Sequence, residues 1–254
     1  MNTSIENQLN HRTIREFKDE KLDESLINKL LEVANRSASS NGMQFFSIIN
    51  VTDQAIKEHL AENGNQEYMA RAPHLWIFVA DLYRNYNIAK ENGQENDEMI
   101  GFDKFIQAMT DSIIAAQNVT VAAESLGLGT NYFGNIHNDT QKVIELLDLP
   151  KLTYPAVGLS FGIPNQEPQL KPRLDIKLKT FENSYKIYDS YNEMIKDYDN
   201  EMTTYYDLRD ANRRSDSFSK QIPKKQGSVI KNRGKMFETL LNQGFKIRKI
   251  DELN

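Results

Sequence analysis

Residues 115–136 read AAQNVTVAAESLGLGTNYFGNI, and the fold turns on this stretch. Upstream and through it, Ile106, Met109, Ile113, Ala116, Ala123 and Leu126 recur at helical intervals. That spacing predicts a helix over 98–126, ended by Gly127 or Gly129 acting as a C-cap. A helix this long, with alanines on both sides, belongs in a core or at a subunit interface. The glycines resemble a dinucleotide fingerprint only superficially: they follow a helix rather than a strand, and no helix opens on them. They read instead as a sharp helix-to-strand turn, after which Tyr132, Phe133, Gly134 and Asn135 bring backbone close to something flat.

Upstream of this segment, Asp23 can cap a helix reaching about Arg36, with Leu26, Leu30, Leu31 and Ala34 on one face. Ser37 to Gly42 interrupts the periodicity and reads as a loop. Residues 45–51 are β-branched and aromatic, so a strand; 55–60 suggests a helix. Leu75 to Ala80 is a near-continuous apolar run, as expected of a strand buried on both faces. Downstream, a helix to Leu149 and a strand over 156–162 complete the main body. A loop rich in Pro and Gln follows over 164–172. Residues 203–225 show little periodicity and are expected to form a mobile basic arm. A last helix is expected over 230–242, with Met236, Phe237, Leu240 and Leu241 at packing intervals. These elements predict one α+β domain over 1–254, a central sheet flanked by helices.

Composition removes several chemistries. The chain has no cysteine, hence no disulfide, thiolate nucleophile, iron–sulfur cluster or Cys-based zinc site. Its four histidines form no HxH or HExxH spacing, so no metal site is expected. Redox work in such a chain falls to an organic cofactor. The longest apolar run is far below the roughly 20 residues of a membrane span, and the polar start of the sequence points to the cytoplasm. The net charge of −5 is unevenly spread. Residues 205–250 hold 12 Lys/Arg against 4 Asp/Glu, and the remainder 19 against 32. A basic segment on an acidic chain suits an anionic ligand or internal neutralisation. No nucleic-acid motif accompanies it.

Three small clusters could carry chemistry. In His11-Arg12-Thr13-Ile14-Arg15, two guanidiniums three residues apart can aim at one anion, and Thr13 adds a hydroxyl. Taken alone, a solvated surface cluster is the commoner explanation. Ser37 to Asn41 offers hydroxyl and amide donors at a helix end, although plain turn chemistry is by itself the commoner explanation. Lys171-Pro172-Arg173 sets two cations around a rigid proline, an arrangement suited to phosphate. No catalytic carboxylate pair or nucleophile elbow is evident, so hydrolase chemistry has no support.

Taken in order, HRTIREF, SASSNGMQ, AAQNVTVAAESLGLGTNYFGNI, YPAVGLSFGIPNQEPQLKPRLDIKLKTFENSY and YYDLRDANRRSDSFS resemble the nitroreductase/flavin reductase family, in particular its oxygen-insensitive NADPH nitroreductase and NADPH–flavin oxidoreductase branch. The match spans nearly the whole chain. The resemblance implies a mixed central sheet wrapped by helices, in an intertwined homodimer with FMN at the interface. It implies that His11, Arg12, Thr13 and Arg15 contact the FMN phosphate and nearby ring atoms, with Ser39, Ser40 and Asn41 contributing from a second loop. Gln66 would lie near the flavin, and Tyr132, Phe133, Gly134 and Asn135 along its ring. Lys171 and Arg173 would complete the phosphate and ring-edge contacts, and Arg209, Arg213 and Arg214 would grip the extra phosphate of NADPH. Asn135 stands where relatives often carry a second glycine. Chemistry would be centred on flavin N5, without a protein nucleophile: a ping-pong transfer of two electrons from NADPH to small acceptors such as nitroaromatics, quinones or free flavin. Clustered cations suit a phosphate dianion, and a positive charge near the flavin pyrimidine, from Arg15 or Arg173, would raise its reduction potential. The competing reading is a flavin-sequestering protein without turnover. A basic arm argues against it, because storage needs no second phosphate site.

Overall fold

A computed structural model describes residues 2–207, 213–228 and 230–247. The chain divides into two compact units, Met1–Gln166 with Ile230–Asn254, and Glu167–Val229. In the first unit the elements run α1 (Thr3–Leu9), α2 (Glu24–Asn35), β1 (Phe46–Asn50), α3 (Gln54–Gly64), β2 (His74–Asp81), α4 (Tyr83–Glu91), α5 (Phe102–Ser125), β3 (Gly129–Phe133), α6 (Thr140–Leu146) and β4 (Thr153–Gly162). The second unit holds α7 (Tyr191–Met194), α8 (Lys196–Thr204), β5 (Tyr206–Asp207), β6 (Arg213–Arg214) and α9 (Phe218–Gln226); α10 (Met236–Asn242) returns to the first.

The sheet has the order β1-β2-β4-β3, and its strands pair antiparallel throughout. The resemblance implied a mixed sheet, of which the four described strands form an antiparallel set. Among the described residues, parallel pairing is confined to the isolated bridges Thr13–Thr130 and Gly101–Lys246. β2 is central and buried along nearly its whole length, as its unbroken apolar run predicted. One sheet face packs Trp76, Phe78, Leu159 and Phe161 against Leu30 and Ala34 of α2 and Ala115, Ala116, Val119 and Ala123 of α5. The opposite face packs Leu75, Ile77, Val79 and Phe133 against Leu60 of α3 and Val143 of α6.

The stop of α5 is a Schellman ending. Gly127 takes φ +77°, its N–H donates to Glu124 O (3.0 Å), and Leu128 N–H donates to Ala123 O (3.0 Å). Gly127 is therefore the C-cap glycine, and Gly129 serves another purpose described below. α5 starts at Phe102 rather than 98, because a short 3-10 turn, Asp97–Ile100, and the extended Gly101 precede it. The final helix is shorter than its periodicity suggested: 230–235 holds a turn and the 3-10 segment Arg233–Lys235, and only Met236–Asn242 is α-helical. The stretch expected to lack regular structure contains α9. Its start is tied down by Asp199, which accepts from Ser219 N–H (2.9 Å) and from the Ser219 hydroxyl, and Phe218 meets the Tyr198 ring edge-on at 5.3 Å.

Candidate cofactor site

The His11–Arg15 run lies along the free edge of β3. Ile14 N–H donates to Thr130 O at 2.8 Å, and Thr13 bridges Thr130. Gly129 makes this approach possible, because a Cβ there would sit 2.7 Å from three atoms of the buried Ile14 side chain. Downstream, the backbone N–H groups of Arg15 and Glu16 both donate to Gln166 Oε1, at 2.7 and 2.8 Å. The alternation places Ile14 inward and its neighbours outward. Arg12 and Arg15 are partly buried, and the Nε of each is buried with no hydrogen-bond partner among the described residues. Arg12 does reach Asn10 O through Nη1 (3.3 Å), while the Arg15 guanidinium sits 5.7 Å from the centre of the Tyr68 ring. Leaving buried guanidinium N–H groups unmet is costly unless an anion meets them.

His11 is held from α5. Its Nδ1 lies 2.6 Å from Glu124 Oε1, and Thr130 Oγ1 donates to the same oxygen at 2.6 Å. The loop after α2 is held by a second carboxylate of the same helix. Asp111, buried, accepts from Ser39 Oγ (2.6 Å) and from Phe45 N–H (3.0 Å), and Ser39 Oγ itself accepts from Gln44 N–H (2.7 Å). Ser39 thus turns its hydroxyl inward, whereas Ser40 and Asn41 are exposed. The loop needs such an anchor, since Asn41, Gly42 and Gln44 all take positive φ (53°, 68° and 53°).

Gln66 precedes the short turn Glu67–Met69 and is partly buried. Tyr68, two residues on, stacks on Phe133 at 5.8 Å. Phe133 is a core side chain, so only its backbone can face a ligand. Tyr132 points to the other face of the sheet, where Thr120 donates to its hydroxyl (2.8 Å); burial pushes that hydroxyl up to about 12. Gly134 is exposed, and the space a side chain there would fill is open. Asn135 is buried, both its amide atoms lack a partner among the described residues, and its amide occupies the place a Cβ on Gly64 would need.

Lys171 and Arg173 belong to the second unit and are exposed; Arg173 Nη1 donates to Lys171 O at 3.0 Å. Arg209 lies outside the described residues. Arg213 and Arg214 form β6, whose backbone pairs with Asp207 and Tyr206. Sequence reasoning missed Glu124, Asp111, Gln166 and Gly129. Asp111 carried a signal, an acidic residue spaced with Ala108 and Ala115 on the buried face of α5. Glu124 and Gln166 carried none, because the cofactor-loop groups they hold, His11 and the Arg15 N–H, lie more than a hundred residues away.

The sequence model described as "Nitroreductase family" matches residues 9–163, and that of its C-terminal domain matches 171–248. The chain belongs to the nitroreductase family. The chain is 37% identical over 225 residues to the FMN reductase (NADPH) of Bacillus subtilis, covering 87% of this chain and 90% of the relative. It is 36% identical to the oxygen-insensitive NADPH nitroreductase of Salmonella typhimurium, over 98% of this chain and all of that one. The solved structure of B. megaterium NfrA2 superposes with a TM-score of 0.89 at 33% identity, covering 98% of this chain and 100% of its own. The nitroreductase-like α+β fold follows from both kinds of likeness. Among the described residues, no helix is long and apolar enough to cross a membrane.

Proposed function

We propose that this protein is an FMN-dependent NADPH oxidoreductase. The observation that carries the reading is the pair of buried Nε groups of Arg12 and Arg15, without a partner among the described residues, in a run pinned to the sheet edge beside His11. Such a cradle fits a phosphate dianion better than water, and the named relatives are NADPH-dependent FMN reductases and nitroreductases. When bound, FMN supplies a two-electron carrier between NADPH and a small acceptor such as a nitroaromatic, a quinone or free flavin. The chain's part is to bind and orient. His11, Arg12, Thr13 and Arg15 would hold the phosphate end, and Ser40 and Asn41 would offer donors from the second loop, with Ser39 setting that loop's shape. Gln66, Tyr132, Gly134, Asn135 and the backbone of Phe133 would border the ring. Lys171 and Arg173 are proposed as further phosphate and ring-edge contacts, and Arg209, Arg213 and Arg214 as the NADPH phosphate site. Turnover would be ping-pong, in the cytoplasm, with the whole chain acting as one functional unit.

We also infer a homodimer. Glu124 and Asp111, which anchor the two loops, are 13 residues apart on α5, about 20 Å of helix at ~1.5 Å per residue. That separation of the anchors supports a site completed by the second loop of a partner. Phe102, Ile106 and Ile113, at 43, 48 and 50% exposure, form a stripe on α5 at intervals of four and seven that a subunit contact would cover.

The test is the visible spectrum of the purified protein without oxygen. Flavin bands should bleach with NADPH and return with a quinone or nitroaromatic. A protein that stays colourless with added FMN would end the proposal, and one whose bound flavin never bleaches would be a storage protein.

A further inference from the structure

We propose that Glu124 is a positioning residue that holds the Nδ1–H of the His11 imidazole, so that Nε2 faces the cofactor phosphate and, with a second hydrogen taken up from solvent, donates to it. The inference rests on the phosphate-binding role assigned to His11 above. An ionised carboxylate only accepts hydrogen bonds. At 2.6 Å from Glu124 Oε1, Nδ1 must therefore carry the hydrogen, and the contact is short enough to be charge-assisted. The choice of ring nitrogen is set by the bond the other one makes.

Glu124 is well suited to this task. Its side chain is only 13% exposed, and it sits in the last turn of the longest helix described, whose inner face is buried against the sheet. The same oxygen accepts from Thr130 Oγ1, and the Thr130 carbonyl accepts from Ile14 N–H. Helix, strand and cofactor loop are thus joined through one carboxylate oxygen. Rotation of the ring by half a turn would swap Nδ1 for a carbon and break the bond, so His11 has one favoured orientation. Its Nε2 has no hydrogen bond among the described residues, and neither does the buried Nε of the adjacent Arg12.

Two measurements decide the matter. The first is a long-range 1H–15N NMR spectrum of histidine-labelled protein without FMN, where four histidines make assignment by His11→Gln straightforward. A hydrogen on His11 Nδ1, with or without one on Nε2, is expected; a neutral ring bare at Nδ1 and protonated at Nε2 overturns the proposal. The second is FMN affinity by fluorescence quenching on the apoprotein. Glu124→Ala should weaken binding about tenfold. Glu124→Gln, whose carbonyl oxygen still accepts both bonds, should stay within about threefold of the unsubstituted protein. The Glu124→Ala/His11→Ala pair should bind no more weakly than His11→Ala alone. Additive losses, or an unchanged Glu124→Ala, overturn the proposal. If the unsubstituted chain fails to bind FMN, the cofactor reading falls, while the NMR result still decides the imidazole.

Discussion

At the scale of single residues, the site depends on what small groups permit. Gly129 bears on function although it touches no ligand. Placing a methyl there sets it 2.7 Å from Ile14 and forces the cofactor loop off the β3 edge. Gly129→Ala should cost about 1–3 kcal/mol of stability from overpacking and weaken FMN binding, as read by thermal unfolding and fluorescence titration. A variant with normal Tm and normal affinity would show that the loop adjusts freely. Ser39 makes a different point. In the sequence it was one more hydroxyl donor near a cofactor, yet its hydrogen goes to Asp111 and its lone pair to Gln44 N–H. Nothing in SASSN says which serine turns inward, because the deciding partner lies 72 residues away. By contrast, the cationic character of the Arg12–Arg15 run was legible from residue type alone, although its extended course along β3 was not.

At the scale of elements, α5 was read well because its signal is internal to it: helical periodicity along its length and a glycine at its end. What the sequence hid is its second use as the support for both loops. Asp111 is a buried carboxylate whose partners in the structure are a hydroxyl and a backbone N–H. Asp111→Ala leaves Phe45 N–H and the Ser39 hydroxyl without an acceptor, a loss of about 1–3 kcal/mol. Asp111→Asn can still present one oxygen to both donors and should recover most of it. Urea unfolding of the two variants separates these outcomes, and equal losses would mean that the charge itself is what the loop requires. The elements misread were those defined by packing. α9 has a polar, weakly periodic sequence, and its start is set by Asp199 and Tyr198 of another helix. The last helix begins late because Asn232 bonds Asp139 (2.6 Å) and Gly234 falls in a 3-10 turn, neither of which shows in hydrophobic spacing.

At the scale of the whole molecule, acid stability follows from two histidines kept neutral. Burial lowers the pKa of His74, helped by Lys57 and Lys21, and burial also lowers that of His137. The geometry agrees: His74 Nε2 accepts from Leu22 N–H (3.3 Å), and His137 Nε2–H donates to Ala156 O (3.0 Å), leaving Nδ1 buried without a partner among the described residues. The unfolded chain protonates both near pH 6.5, whereas the folded chain does so only at lower pH. Below about pH 6.5 the unfolded state therefore binds more protons, and stability falls as pH falls until the lower folded values are reached. Tm should drop between about pH 7 and about pH 5, and less steeply in His74→Gln; parallel curves would exclude His74 from the effect. Assembly is the other property of the whole chain. If the stripe Phe102, Ile106 and Ile113 is the subunit contact, a charge at its centre cannot be buried without a partner. Ile106→Lys should shift the protein from dimer to monomer in sedimentation. Because the 39–41 loop would then be missing from each site, the monomer should also lose FMN while keeping its helical circular dichroism. A dimer that persists with flavin bound would place the interface elsewhere. A folded monomer that still holds FMN would instead show that one chain makes the complete site, against the separation of its two loops along α5.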